Sequence, residues 1–101
     1  MPKIYEYFGL IFYFYSNEHE PIHVHVTKNE RETIFEIILT DGKLAEIKMR
    51  EAKNKKALTS KEQEEATTVI HKYYRDIVEK WINFFVLRKE VRMTSIKSKI
   101  K

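Results

Sequence analysis

Residues 60–87 contain neither glycine nor proline. Their apolar residues recur at spacings of three and four: Ala66, Val69, Ile70, Tyr73, Tyr74, Ile77, Val78, Trp81, Phe84 and Phe85. That period paints one broad stripe along a helix. Ser60-Lys61-Glu62-Gln63 suits its start, with Ser60 as the cap and Gln63 three residues on. Glu62, Glu64 and Glu65 fall where the helix dipole favours acids. One helix of this length spans a sheet and covers one of its faces, but not both. Upstream lie strands joined by turns, then a polar, basic connector over 49–59, so the order is strands first and then one helix. The expected architecture is α+β: a meandering antiparallel sheet of about four to five strands packed on one long C-terminal helix. The domain is expected over residues 1–87, with 88–101 as a basic C-terminal tail in which Val91 to Ile96 has weak strand character and Ile100 suits an anchor.

Residues 3–15 are nine-thirteenths β-branched or aromatic, the composition of strand. Gly9 in their middle marks either a turn between two short strands or a bulge in one. From Ile22 to Val26 apolar residues alternate with His23 and His25, so the two imidazoles share one face of a strand and Ile22, Val24 and Val26 the other. Lys28-Asn29-Glu30-Arg31 reads as a hairpin loop. A symmetric loop there pairs His23 with Glu36, Val24 with Phe35 and His25 with Ile34. Asp41-Gly42 is the strongest hairpin signal in the chain, because both residues accept positive φ. Extended without interruption, it sets Leu39 opposite Leu44, Ile37 opposite Glu46 and Glu36 opposite Ile47. The strand at 33–39 is then apolar on both faces. The histidine face, which the helix cannot reach, is left needing a partner or more of the chain itself.

His19, His23 and His25 form the densest chemistry in the sequence. Their spacing is compatible with chelation of zinc, nickel or iron. Free of metal, they are compatible with acid–base work or with structural hydrogen bonding. Glu36 is the expected helper, with Glu18 and Glu20 as further candidates. No covalent nucleophile stands out: cysteine is absent, and Ser16 and Ser60 sit in turn and cap contexts. Tyr5, Tyr7, Tyr13 and Tyr15 alternate on one face of the first strands, packing at the core edge or lining the histidine pocket. Trp81 is expected as a helix anchor and His71 as surface.

The net charge of +4 is unevenly placed. Arg88, Lys89, Arg92, Lys97, Lys99 and Lys101 crowd the last fourteen residues against Glu90 alone. A second basic run spans Lys48 to Lys56. Either a solvated surface or contact with a polyanion accounts for this. Any nucleic-acid contact is expected to be nonspecific, because no recognition-helix or glycine–aromatic pattern is present. Without cysteine, disulfides and thiolate metal sites are excluded. No apolar run approaches the ~20 residues of a membrane span, and the N-terminus does not resemble a signal peptide. A cytoplasmic location is the expectation.

Met1-Pro2-Lys3-Ile4, Phe8-Gly9-Leu10-Ile11, His19-Glu20-Pro21-Ile22-His23-Val24-His25 and Arg75-Asp76-Ile77-Val78-Glu79-Lys80-Trp81 together resemble a bacterial family, domain of unknown function 4160. The family's signature is His-x-Pro-Pro-His-Phe-His. Here Ile22 replaces its second proline and Val24 its phenylalanine, and the strand alternation survives both. The resemblance implies no activity. It implies gene neighbourhood: a two-gene module of the toxin–antitoxin kind. The expected function is therefore a small protein-interaction module that meets the product of an adjacent gene, or a second copy of the chain, through the sheet face its helix leaves uncovered. The alternative is a metal-dependent or histidine-based hydrolase or nuclease centred on His23 and His25, with Glu36 as helper.

Overall fold

In the computed structural model, residues 3–14 and 22–100 are described. They form β1 (Lys3–Tyr7), β2 (Leu10–Tyr13), β3 (His23–Lys28), β4 (Arg31–Thr40), β5 (Lys43–Glu51), α1 (Ser60–Phe85) and β6 (Thr94–Ile96). The sheet order is β5-β4-β3-β2-β1-β6. The five N-terminal strands make the expected antiparallel meander. The sheet nevertheless has six strands and is mixed, because β6 pairs parallel to β1. Part of the segment expected as a tail thus joins the sheet. Its apolar Ile96 and Ile100 pack against the core, and the Ile100 N–H donates to the Tyr7 hydroxyl at 3.2 Å.

Local chemistry explains the turns. Phe8 and Gly9 join β1 to β2 with φ of +44° and +91°, so Gly9 marks a meeting of two strands. Glycine adopts this geometry freely; Phe8 is held in a region that bulky residues avoid. Asp41 and Gly42, at +52° and +78°, form the expected hairpin turn. The β3–β4 register is the expected one throughout: His23 faces Glu36, Val24 faces Phe35 and His25 faces Ile34.

The β4–β5 register departs from expectation. Leu39 faces Leu44, but Ile38 faces Glu46, Ile37 faces Ile47 and Glu36 faces Lys48. One extra residue, Ala45, bulges out of β5 and shifts the remainder by one position. Since strand side chains alternate, the shift exchanges the two faces of β5. Ile47 joins Ile37 on the helix side, and Lys48 and Arg50 join the histidine side. An unbroken ladder would have set Ile47 among the histidines and Lys48 over the core. The bulge therefore restores the match between residue type and environment.

The core lies between α1 and one sheet face. Ile4, Phe12, Val24, Val26 and Phe35 are completely buried against Ala66, Val69, Ile70 and Ile77, and Trp81 anchors the far end of the helix stripe. The cap sits one residue earlier than expected. Thr59 Oγ1 accepts from the Glu62 N–H at 3.2 Å, and the Glu62 carboxylate accepts from the Thr59 N–H at 2.8 Å. This reciprocal box holds the Glu62 carboxyl below the usual range, chiefly through the Thr59 backbone bond. It also puts a full negative charge at the helix start, where Gln63 offers none. The helix breaks once, at Tyr73 (φ −112°, ψ 16°), whose ring lies 5.5 Å from that of Tyr5. Burial, then the hydrogen bond to Asp76, pushes the Tyr5 phenol up. Among the described residues no helix is long and apolar enough to cross a membrane.

Candidate functional site

The expected pairing of His23 and His25 on one face of an extended strand is present. Their rings stand 5.3 Å apart, edge to face. That face is not left bare for a partner, because the chain itself covers it. His23 is 3 % and His25 2 % exposed, and Tyr13, Glu32 and Ile34 beside them are buried as well. Helix α1, packed on the Val24–Phe35 face, does not bury them.

A three-residue network occupies the centre of this face. The buried Glu32 carboxylate accepts from the Tyr13 hydroxyl through one oxygen and lies 3.1 Å from His25 Nδ1 through the other. The Tyr13 ring stacks on His25 at 5.3 Å. A carboxylate only accepts, so Nδ1 carries the hydrogen and Nε2 is the basic nitrogen of the neutral ring. A buried carboxylate is costly without partners, and two donors offset much of that cost. The backbone holds the group from behind, with the Glu32 N–H donating to the Lys56 carbonyl at 2.8 Å.

Glu36, the expected helper, does face His23 in the register. Its carboxylate is drawn instead to Arg50 Nε at 2.7 Å. Among the described residues, the acid on the histidine pair is therefore Glu32, diagonal to His25 across the β3–β4 ladder. His19, the third expected metal ligand, lies outside the described residues, as do Glu18, Glu20, Ser16 and Tyr15. Among the described residues no group of three histidine, cysteine, aspartate or glutamate side chains is placed to hold a metal ion.

The four tyrosines expected on one face divide. Tyr5 and Tyr7 pair with Phe12 and Leu10 and belong to the helix-side core, whereas Tyr13 turns to the histidines. The intervening Phe8-Gly9 turn makes this possible, because parity of numbering does not carry across a hairpin.

A hollow of about 240 Å³ opens beside the network, lined by His25, Glu32, Arg50, Glu51, Lys53 and Lys55, among others. Lys53 and Lys55 thus stand near His25. The tail's basic residues stand elsewhere. Arg88, Lys89, Arg92, Lys97 and Lys99 are all exposed, and β6 sits at the opposite edge of the sheet from β5. Lys99 contacts Glu65 at 3.5 Å and lies 4.4 Å over the Phe8 ring. The two basic runs therefore do not form one surface. His71 is exposed, as expected.

Sequence reasoning missed Glu32 and Arg50; Tyr13 it left between the core edge and the histidine pocket, and the pocket is where Tyr13 lies. Glu32 was within reach: the β3–β4 register sets it opposite Thr27, on the same face as His25 and two residues away. Tyr13 depends on the β2–β3 register and Arg50 on the Ala45 bulge, and neither carries a local signal.

Comparison with curated proteins and with solved structures gives no significant match. The family comparison does: from the Phe8-Gly9 turn through the histidine strand to Ile82 in the helix, residues 9–82 match the family described as Domain of unknown function (DUF4160), and the chain belongs to it.

Proposed function

We propose that this chain is a small protein-interaction module, one component of a two-gene, toxin–antitoxin-like system, acting through contact with the adjacent gene's product or with a second copy of itself. The observation that carries the reading is the contrast between inward and outward polarity. Glu32 draws Tyr13 and His25 into a buried network that serves the fold. Among the described residues, the nine-residue strand β5 pairs with β4 alone; the helix reaches it at Leu44, whose backbone bonds the Tyr74 hydroxyl, and no strand lies along its other edge. An open edge is a ready template for another chain's strand. The two-gene context is what the family resemblance implies.

The test is co-expression with the adjacent gene and purification through a tag on that gene's product. The reading expects the two proteins to co-elute, and co-elution to survive His23→Ala or His25→Ala in any variant that still melts cooperatively. Separate elution at every salt concentration contradicts the heteromeric half of the reading.

A second reading, a histidine-based or metal-dependent hydrolase or nuclease, draws support from the basic hollow beside His25. Arg50, Lys53 and Lys55 are suited to a phosphate ester, and His25, oriented by Glu32, to proton transfer. Its test is cleavage of single-stranded RNA by the untagged protein with and without EDTA, compared with His25→Gln. Metal bound below ~0.2 per chain, together with cleavage unchanged by His25→Gln, eliminates it; such substoichiometric occupancy leaves no resident ion to act as catalyst.

A further inference from the structure

The two edges of the sheet are finished differently. Beside β1, the chain supplies its own cap, β6. Beside β5, the edge runs for nine residues, Lys43–Glu51, with no proline. Exposed edges are commonly guarded by charged side chains, lysine above all, and by bulges. The charges on β5 are mixed: Lys43, Glu46, Lys48, Arg50 and Glu51. Glu46 and Lys48 flank Ile47, and both point to the histidine side, opposite Ile38 and Glu36.

We propose that β5 pairs antiparallel with β5 of a second copy, about a two-fold axis through Ile47, making one continuous sheet across the dimer. This deepens the interaction reading by naming a surface and an occupant. In this register Glu46 faces Lys48 of the partner subunit and Lys48 faces the partner's Glu46, so both cross-strand pairs are attractive. A two-fold axis makes any such match occur twice. On the helix side, Ile47, half-buried in the lone chain, meets Ile47 of the partner subunit. Met49, 51 % exposed, comes opposite the partner's Ala45. The outward backbone groups of an edge strand belong to alternate residues, and a two-fold through Ile47 satisfies either phase. The Ala45 bulge takes part as well. Without it, Lys48 would lie on the helix side and Ile47 among the charges. The bulge thus gives the edge an apolar seam on the helix side and a salt-bridged one on the other.

Charge reversal tests the register. Light scattering on the full chain is expected to give twice the 12.2 kDa chain mass. Glu46→Lys sets two lysines face to face, and Lys48→Glu sets two glutamates. Two attractive pairs becoming repulsive weakens the dimer by about tenfold or more in each variant. The double variant Glu46→Lys/Lys48→Glu restores both pairs and is expected to return the dimer to within about threefold of the parent. Thermal melts of each variant below the dissociation concentration separate loss of dimer from loss of fold. A parent that stays at one chain mass up to millimolar concentration overturns the proposal. So does a dimer indifferent to the single reversals, or one the double reversal fails to restore. A monomer that still co-elutes with the adjacent gene's product removes this edge pairing alone and leaves the interaction reading standing.

Discussion

β3 and β5 both alternate polar with apolar residues, and the sheet uses the two alternations in opposite ways. In β3 the polar positions are His23 and His25, inside the sheet and almost fully buried. In β5 they are Glu46, Lys48 and Arg50, at the edge and exposed. The first set is held by neighbours within the chain; the second has solvent, Glu36 and an open backbone edge. Place in the strand order decides the outcome. An interior strand has ladders on both sides and must satisfy its polar side chains locally, whereas an edge strand can offer both side chains and backbone to another molecule.

The largest test of this contrast removes the acid that holds the interior set. Glu32→Ala removes an acceptor shared by two buried donors, and its expected cost is about 3 kcal/mol, or roughly 15 °C in Tm. Urea denaturation is the measurement; a cost under ~1 kcal/mol means the network is not structural. Next is Tyr13→Phe, which keeps the ring on His25 and deletes one donor to Glu32. It is expected to cost about 1.5 kcal/mol alone and much less in the Glu32→Ala background, since both changes act on one network. Full additivity of the two breaks the link between them. Smallest is Arg50→Ala. The Arg50–Glu36 pair is 44 % and 21 % exposed, so its loss is expected to cost below about 0.5 kcal/mol and to vanish in high salt. If Arg50→Ala destabilises as much as Tyr13→Phe, the distinction between the strands collapses.

The parts of this arrangement legible in the sequence are those encoded locally. Two-residue turns at Asn29-Glu30 and Asp41-Gly42, the period-two pattern of β3 and the period-3.6 stripe of α1 each sit within a few residues, and each is where its pattern puts it. The β3–β4 register needed only the loop midpoint. Features depending on distant partners escaped. The Ala45 bulge turns on which faces of β5 must meet Ile37 and Glu36, a tertiary demand with no glycine or proline to announce it. β6, three residues long, falls inside the stretch 91–96 whose strand character is weak in the sequence, but its place beside β1 reflects where α1 delivers the chain. The cap fell on Thr59 instead of Ser60 because both share the same pattern and only the Glu62 carboxylate separates them. The histidine pair was readable; its network was not, because Tyr13 and Glu32 come from strands whose side chains meet only in the folded sheet.

The central claim is that β5, and not the histidine strand, is where this chain meets another molecule. Amide hydrogen exchange of the purified protein, followed by residue across a hundredfold rise in protein concentration, tests it directly. The account predicts that amides within 46–49 slow as concentration rises, while those of 23–26 exchange slowly at every concentration. Unchanged exchange in β5, or protection that grows at 23–26 instead, contradicts it.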